Sequence, residues 1–340
     1  MSHAESALPW LPPARRSHIC LRLTAAAAVG RFELQRCARC SAVQYPPREA
    51  CHRCLSVELE WTPQSGAGRL ISSTTLRHSH DPFFRARLPW PIGLVKLDCG
   101  PTVVTHLHQS VGDAPCEVRV TVRLDRAGQA ALVARAPSED VRMNDDPRIR
   151  EMSCDPRGCN VLVTDPFTAL GRALVAAFCD AGANSVSGGT PAGRIDILVN
   201  NSAVAGPQAD PHEQMEVNYF GLLRLWQQFG PESDAPVARA WVNVLALDAL
   251  CNLPSQSTFS ASMAAALSLS QGMRARARPH GLQVVNVFPG PMSAESLARS
   301  VVQGLVEGVE DLYPGELAQQ WLASWIQSPK ILEREVASHE

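Results

Sequence analysis

Four cysteines near the start of the chain have the types and spacing of a metal site. They form two C-x-x-C pairs with ten residues between them, Cys37 with Cys40 and Cys51 with Cys54. Two such pairs can surround a zinc ion with four thiolates, and a closed shell of this kind leaves no position for a reactive water. The predicted zinc is therefore structural. The alternatives are four unrelated buried thiols or a redox pair, and His52 is interpreted as a solvent-facing spacer.

The composition limits the classes of protein to consider. The 340 residues, 45% of them hydrophobic, suffice for two domains of ordinary size. The 31 Lys and Arg residues nearly balance the 33 Asp and Glu residues, so the charge favours neither nucleic acid nor an anionic membrane as a partner. The apolar run 24–29 is too short to span a bilayer, and no secretory leader is recognisable. We therefore expect a cytoplasmic protein, in which paired cysteines are more often metal ligands than disulfides.

Short β-rich runs broken by Gly and Pro follow the cysteines. Strands are predicted at 69–76, 92–98, 102–107 and 116–124. Five or so strands of this length suit a small barrel. The polar, proline-bearing stretch 136–157 has the composition of an exposed linker.

Beyond this stretch, apolar strands alternate with longer helical segments. Strands are predicted at 160–164, 195–200, 240–245 and 282–287, and helices at 169–181, 213–229 and 258–277. This alternation indicates a parallel sheet covered by helices on both faces.

The cysteines belong to a longer pattern that resembles a known family. The pattern comprises Gly30-Arg-Phe-Glu-Leu-Gln-Arg-Cys37, Tyr45-Pro-Pro-Arg48, Gly66-x-Gly68, Leu88-Pro-Trp-Pro-Ile-Gly-Leu-Val-Lys-Leu97, and a turn with Gly112 and Pro115. It is similar to the acyl-CoA-associated zinc-ribbon/OB-fold family. The resemblance implies a lead segment at 1–30, a rubredoxin-like zinc ribbon at 31–58 and an OB-fold β-barrel at 59–135. It also implies an accessory subunit of a thiolase or thiolase-like aldolase, which shapes the acyl-CoA channel without supplying catalytic groups.

OB-fold barrels also bind single-stranded nucleic acid through basic grooves with stacking aromatic rings. Here the rings are few and the basic residues form one short loop cluster. The rings are Phe83, Phe84 and Trp90, and the basic residues are Arg77, Arg85 and Arg87. We therefore expect no nucleic acid partner. The arginines could instead contact the phosphates of coenzyme A, or simply lie in a solvated loop.

Four segments of the second half carry another resemblance. They are Val161-Leu-Val-Thr164 leading to Gly171, Asp196-Ile-Leu-Val-Asn200-Asn201-Ser-Ala203, Val217-Asn218 with Gly221, and Val285-Asn-Val-Phe-Pro-Gly-Pro291. Their order and spacing are similar to the short-chain dehydrogenase/reductase family. The resemblance implies an α/β Rossmann-like doubly wound parallel sheet at 158–340, with a nucleotide site and a serine, tyrosine and lysine that move a proton as hydride leaves.

The three catalytic positions of that family carry neither a hydroxyl nor a cation here. Ala246 stands at the serine position, Phe259 at the tyrosine and Met263 at the lysine. Phenylalanine cannot exchange a proton, and methionine carries no charge. Ser260 and Ser262 are expected to point away from this helix face, so they are not expected to substitute. The sequence therefore predicts a pseudoenzyme without redox activity.

The nucleotide site also departs from the family pattern. Only Gly171 remains of the glycine-rich turn, because Asp165 and Ala169 occupy the other glycine positions. Asp165 would bring a carboxylate toward a diphosphate, and Pro166 removes an amide donor. The stretch 182–196 has room only for a loop, where the family has two strands and two helices. NAD(P) is therefore not expected as a cofactor.

Other parts of the family pattern survive. Asn200 and Asn218 remain, and both can be explained structurally, by a strand-end hydrogen bond and a helix kink. The helical segments 213–229 and 258–277 are those that pair across the dimer in this family, and 264–266 offers small alanines for close helix approach. We therefore expect this half to pair with an active dehydrogenase or with itself.

The first hypothesis is a non-catalytic assembly protein that docks on a thiolase or aldolase and pairs with an active 3-hydroxyacyl-CoA dehydrogenase. One alternative is an NAD(P)-dependent short-chain oxidoreductase that uses unconventional residues. A second is an OB-fold protein that binds single-stranded nucleic acid.

Overall fold

The computed structural model describes residues 11–14, 17–138, 140–188, 194–206, 209–233 and 236–338. The chain divides into two units. The first comprises Met1–Ser153 with Val306–Val309, and the second comprises Cys154–Leu305 with Glu310–Glu340. Within the predicted lead segment, 1–10 and 15–16 lie outside the described residues.

A three-stranded antiparallel sheet forms the zinc ribbon of the first unit. It follows α1 (Leu21–Ala28) and consists of β1 (Glu33–Cys37), β2 (Val43–Gln44) and β3 (Leu59–Pro63), in the order β2-β1-β3. Gln35 of β1 lies opposite Gln44 of β2, and both side chains are buried. The Gln44 Nε2 atom donates to Gln35 Oε1 at 2.9 Å, so the two buried amides partly satisfy each other.

Five strands form the closed barrel of the first unit. They are β4 (Ala67–Leu76), β5 (Trp90–Leu97), β6 (Thr102–Leu107), β7 (Cys116–Leu124) and β8 (Ala130–Arg135), and α2 (Pro82–Arg85) connects β4 to β5. The order around the barrel is β4-β5-β6-β8-β7, and only β6 and β8 are parallel. The structure confirms the predicted barrel, which β8 completes.

The barrel interior depends on one close approach at Gly93. A Cβ atom there would come within 2.6 Å of the Leu70 side chain and 2.7 Å of the Leu107 side chain. Glycine therefore leaves the space that these two inward-facing leucines fill.

The prediction of an exposed linker at 136–157 is wrong for its second half. A short helix, α3 (Pro147–Arg150), forms there and begins at Asp146, whose buried carboxylate accepts a hydrogen bond from a backbone N–H of the helix. Ile149 and Met152 are buried in a hydrophobic cluster of the barrel. Charged and proline residues surround these few apolar side chains, so composition alone hid the packing.

A six-stranded parallel sheet forms the centre of the second unit. Its strands are β9 (Asn160–Val163), β10 (Ser185–Ser187), β11 (Ile197–Asn200), β12 (Ala240–Val244), β13 (Gln283–Val287) and β14 (Asp311–Leu312), in the order β10-β9-β11-β12-β13-β14. Leu198 belongs to one hydrophobic cluster, and its neighbours Ile197 and Val199 belong to another. Helices therefore cover both faces of the sheet, as the sequence predicts.

The helices of the second unit are α4 (Ala169–Asp180), α5 (Pro211–Met215), α6 (Leu222–Phe229), α7 (Ser257–Ala277), α8 (Ala294–Glu307), α9 (Glu316–Gln327) and α10 (Pro329–Ser338). The single helix predicted at 213–229 is divided, because a π-helical segment (Glu216–Gly221) separates α5 from α6. No helix in the described ranges has both the length and the apolar character that a bilayer crossing requires.

The strand β10 corrects the expectation that 182–196 holds only a loop. It pairs in parallel with β9, with Ser185 opposite Asn160 and Ser187 opposite Leu162. A three-residue strand rich in serine has no hydrophobic periodicity to reveal it in the sequence. Residues 189–193 of this stretch lie outside the described residues.

Candidate functional site

The four predicted zinc ligands meet at one point of the zinc ribbon. All four Sγ atoms lie within 4.8 Å of one another. The Sγ atoms of Cys37 and Cys54 are 3.6 Å apart, as are those of Cys40 and Cys51. Four sulfur atoms at about 2.3 Å from a zinc ion would be separated by about 3.8 Å in a tetrahedron. The cluster is confirmed, and its donor set fits a structural zinc ion.

Two matching turns bring the cysteines together. The backbone N–H of Ser41 donates to the Cys37 carbonyl at 2.9 Å, and that of Leu55 donates to the Cys51 carbonyl at 3.0 Å. Ser41 and Leu55 both adopt left-handed backbone, with φ of 58° and 60°. The same local turn therefore follows each C-x-x-C pair and directs both thiols of the pair to one side.

Backbone amides favour the thiolate form that zinc requires. The amide groups of Cys54 and Arg53 lower the pKa of Cys51 to about 6. The Arg53 N–H donates to the Cys51 Sγ atom at 3.4 Å. The amide group of Cys40 is the largest of the causes that lower the pKa of Cys37. Two of the four ligands are thus prepared for metal by their own turns.

The aromatic residues between β4 and β5 are part of the barrel core. Phe83 and Trp90 are buried, and the Trp90 Nε1 atom donates to His106 Nδ1 at 2.9 Å. Arg87 lies 4.1 Å over the Phe83 ring and donates to the Glu151 carboxylate at 2.6 Å. These two buried rings cannot stack on bases, and Arg87 already has partners. Of the three predicted contact arginines, Arg77 and Arg85 are exposed.

The three positions predicted to be a degenerate catalytic triad lie in or against an apolar core. Ala246 follows β12, and Phe259 and Met263 lie one turn apart on α7. The side chains of Phe259 and Met263 are 7% and 2% exposed, and both belong to a hydrophobic cluster against which Ala246 packs. None of the three can donate or accept a proton at this place.

The two serines beside these positions serve structural roles. The Ser260 hydroxyl accepts from the Leu253 N–H at 3.1 Å, and the Ser262 hydroxyl donates to the Phe259 carbonyl at 2.7 Å. Ser262 also accepts from the Asn218 Nδ2 atom at 2.9 Å. Both hydroxyls are buried and engaged.

The loop between β9 and α4, where a dinucleotide diphosphate would lie, satisfies its own polar groups. The Thr168 Oγ1 atom caps α4 by accepting from the Gly171 N–H at 2.9 Å, and it also accepts from the Asn201 side chain at 3.1 Å. A Cβ on Gly171 would come within 2.2 Å of the Asp165 carbonyl oxygen. The remaining glycine of the pattern thus lets the loop pack on its own helix.

Pro166 fills space beside this loop. A Cβ on Gly188, directly after β10, would come within 2.0 Å of the Pro166 Cγ atom. Asp165, with φ of 47°, adds a carboxylate to the same turn. A loop closed by a proline, carrying a carboxylate and capped by its own threonine does not fit a diphosphate, although the absence of NAD(P) binding remains a prediction.

The two surviving asparagines have structural partners. Asn218 lies in the π-helical segment, where its side chain accepts from the Val204 N–H at 2.8 Å and donates to the Val204 carbonyl at 3.0 Å. Asn200 accepts from the Thr164 hydroxyl at 3.4 Å at the end of β11. These contacts match the strand-end hydrogen bond and the helix irregularity predicted for them.

One cluster of titratable groups was not predicted from the sequence. Cys154 and Cys159 are both buried, and the Arg239 Nη1 atom donates to the Cys159 Sγ atom at 3.6 Å. A hydrogen bond from the Cys154 side chain is the main cause that lowers the pKa of Cys159, and the charge of Arg239 adds to it. Arg239 lies 80 positions away in the chain, so no local motif could reveal the cluster.

Three protein-family models match consecutive parts of the chain. The rubredoxin-like zinc ribbon domain of ChsH2 matches residues 24–60, the C-terminal OB-fold domain of ChsH2 matches 61–128, and the short chain dehydrogenase model matches 176–303. The chain joins ChsH2-type zinc-ribbon and OB-fold domains to a short-chain dehydrogenase domain. The cysteine cluster lies within the ChsH2-type ribbon, and the ChsH2-type OB match stops just before β8.

Individual relatives match only parts of the chain or of their own length. A stretch of 95 residues is 33% identical to the probable enoyl-CoA hydratase alpha subunit of Thermomonospora curvata, and it covers 28% of this chain and 28% of that protein. A short chain dehydrogenase structure from Burkholderia cenocepacia, in complex with NADP, is 27% identical over 54% of this chain and 99% of its own, with a TM-score of 0.48. The Ltp2-ChsH2(DUF35) aldolase structure is 25% identical over 37% of this chain and 100% of its own, with a TM-score of 0.33.

Proposed function

We propose that this protein is a non-catalytic assembly subunit of a cytoplasmic complex that degrades acyl-CoA by β-oxidation-like steps. Its ChsH2-type half docks on a thiolase or thiolase-like aldolase, and its dehydrogenase-type half pairs with an active 3-hydroxyacyl-CoA dehydrogenase. The ChsH2-type domain matches support the acyl-CoA setting, as does the relative named as an enoyl-CoA hydratase subunit. A covalent link between two docking modules raises the effective concentration of one partner near the other.

The observation that carries the non-catalytic part is the apolar filling of the triad positions. The sheet and helices of a dehydrogenase are retained around Ala246, Phe259 and Met263, whereas each group that would handle a proton is replaced by a hydrocarbon or thioether side chain. A dehydrogenase fold with apolar side chains at these positions is consistent with selection for binding surfaces.

An exposed apolar strip on the barrel supports docking of the ChsH2-type half. Leu94 of β5 lies directly opposite Val104 of β6, and Ile71 lies at a bulge in the adjoining β4. Their exposures are 38%, 61% and 48% respectively. Single exposed apolar residues are ordinary, but three on adjacent strands form a contiguous patch of the kind that marks protein interfaces.

A stripe of small residues on α7 supports pairing of the dehydrogenase-type half. Ala261, Ala264, Ser268, Gly272 and Ala275 are all exposed, and their spacing of three or four places them on one helix face. Nothing lies within 4 Å of the position that a Gly272 Cβ would occupy. Small side chains on such a face allow a second helix to approach closely.

Affinity purification of the tagged full chain from its native host, followed by mass spectrometry, tests this function. We expect recovery of a thiolase-like enzyme together with an intact short-chain dehydrogenase. Val104→Glu should selectively remove the thiolase-like enzyme, because it places a charge in the apolar strip. Ser268→Arg should selectively remove the dehydrogenase, because it obstructs the small-residue face.

Thr75→Glu is the matched control, since Thr75 is an exposed barrel-strand residue outside the strip. Recovery of only one enzyme, or of none, would overturn the bridging role. Turnover of a hydroxyacyl-CoA with NAD(P) by the purified chain alone would establish the oxidoreductase alternative instead.

A further inference from the structure

A pocket of about 290 Å³ lies between the zinc ribbon and the barrel of the first unit. The ribbon contributes β2, Tyr45, Arg48 and His52. The barrel contributes Lys96 near the end of β5, and residues 100–102 at the start of β6. The volume is just below the range for small-molecule sites, which begins at about 300 Å³. The pocket does not involve the zinc ligands, the apolar strip or the dehydrogenase-type half.

The polar wall of this pocket is cationic. Arg48 and Lys96 bring two positive charges, and no acidic residue is among the lining residues. Within the described part of the chain, the Arg48 guanidinium has no hydrogen bond or ion pair, and only its backbone is engaged. The Lys96 ammonium donates to the Gly100 carbonyl, which leaves two of its three N–H groups for a ligand.

Two buried glutamines anchor the backbone of Arg48 and the residue His52 beside this wall, while the side chains of Arg48 and Lys96 are exposed. The Gln35 Oε1 atom accepts from the Arg48 N–H at 2.8 Å, and Gln35 Nε2 donates to the Arg48 carbonyl at 3.0 Å. Gln44 Oε1 accepts from the His52 N–H at 3.0 Å and contacts His52 Nδ1 at 3.2 Å. An amide oxygen only accepts, so Nδ1 carries the hydrogen in this contact. A fixed Arg48 backbone limits the positions that its guanidinium can reach, which lowers the cost of ordering that side chain when a ligand binds.

Two side chains with apolar surface also line the pocket. Val43 and Tyr45 line it while packing against the barrel core. A flat organic body can lie against such side chains while its phosphate meets the two cations. We therefore expect the combination to favour a phosphate ester over a bare inorganic anion.

We propose that this pocket binds the phosphate group of a nucleotide-sized ligand, with Arg48 and Lys96 as its charged ligands and Tyr45 against its ring. Two sources share this chemistry, a free adenine nucleotide and the nucleotide end of coenzyme A. The proposal does not depend on the assembly function, because the pocket lies within one unit of a single chain.

Calorimetric titration of the zinc-loaded full chain tests the site, with ADP, adenosine 3′,5′-bisphosphate, coenzyme A and inorganic phosphate as probes. We expect saturable binding of at least one nucleotide probe, which weakens as salt is raised. Arg48→Ala and Lys96→Ala should each weaken binding about tenfold or more, since each removes a charge-assisted hydrogen bond. Arg39→Ala, an exposed arginine of the same ribbon outside the pocket, should leave binding unchanged.

Tighter binding of coenzyme A than of ADP would assign the coenzyme as the source, and the reverse order would assign the free nucleotide. Circular dichroism and zinc content of each variant ensure that a loss of binding is not a loss of fold. The proposal is overturned if no nucleotide binds at millimolar concentration, if inorganic phosphate binds as tightly as the nucleotides, or if Arg48→Ala and Lys96→Ala bind like the unaltered chain. Because no partner enzyme is present in the titration, its outcome is separate from that of the affinity purification.

Discussion

The two halves of this protein treat their characteristic sites in opposite ways. In the zinc ribbon, all four cysteines are present, and two identical turns hold the Sγ atoms within 4.8 Å of one another. In the dehydrogenase-type half, the six-stranded sheet is kept, whereas Ala246, Phe259 and Met263 have joined the hydrophobic core. The four cysteines of the ribbon fit the structural site predicted for them, whereas apolar packing occupies the positions predicted to be the degenerate triad.

Among the variants that test this comparison, loss of the zinc ion should have the largest effect on stability. We expect one zinc per chain by elemental analysis, and we expect Cys51→Ala to abolish zinc binding and unfold the ribbon. Metal binding contributes about 10 kcal/mol or more to the folding of small structural zinc domains at neutral pH. Cys179→Ala is the control, because Cys179 is an exposed thiol of α4. A Cys51→Ala protein with unaltered zinc content and unfolding temperature would contradict the metal assignment.

Met263→Lys, which places a lysine at the predicted lysine position of the degenerate triad, should have the next largest effect on stability. Met263→Lys places an ammonium group in a cluster where the native side chain is 2% exposed. We expect the free energy of unfolding to fall by about 3 kcal/mol or more in urea denaturation, because a buried charge without a partner is costly. Ala264→Lys, at the exposed neighbouring position, should change it by less than about 0.5 kcal/mol. Similar stabilities for the two variants would contradict the burial of Met263 in a dry apolar cluster, because position 263 would then give an ammonium group access to water or to a partner.

Substitution of Gly171, the predicted remnant of a nucleotide-binding turn, should have a smaller effect on stability. Gly171→Ala should lower the free energy of unfolding by about 1–3 kcal/mol, because the added methyl group meets the Asp165 carbonyl oxygen. Gly272→Ala, in an open position of α7, should instead raise it by up to about 1 kcal/mol through helix propensity. A neutral Gly171→Ala substitution would mean that the loop is more open than described and has room for a ligand.

Much of the architecture could be predicted because its signals are local. The two C-x-x-C pairs, the β-rich runs of the barrel and the strand-helix alternation of the second half each depend on residues close together in the chain. The interpretation of Ala246, Phe259 and Met263 as inert stays a prediction, which depends on the family resemblance and on their side-chain chemistry. The structure then added that they are packed in one apolar cluster.

The parts that escaped prediction depend on tertiary contacts. The segment with Ile149 and Met152 resembles a linker in composition, and only the barrel gives its apolar residues somewhere to pack. The strand β10 is too short to show a hydrophobic periodicity. It forms because its backbone pairs with β9 at the edge of the sheet. The pocket at Arg48 and Lys96 joins residues from two subdomains, which no sequence spacing relates.

The most direct test of the central claim is a titration of NADH and NADPH into the zinc-loaded full chain, followed by fluorescence and calorimetry. The account predicts no saturable binding in the dehydrogenase-type half up to about 1 mM, a binding free energy weaker than about −4 kcal/mol. To separate this half from the ribbon pocket, the titration is repeated with Arg48→Ala. Saturable micromolar binding that survives this substitution would contradict the account, because the loop at Asp165 and Pro166 would then hold a dinucleotide.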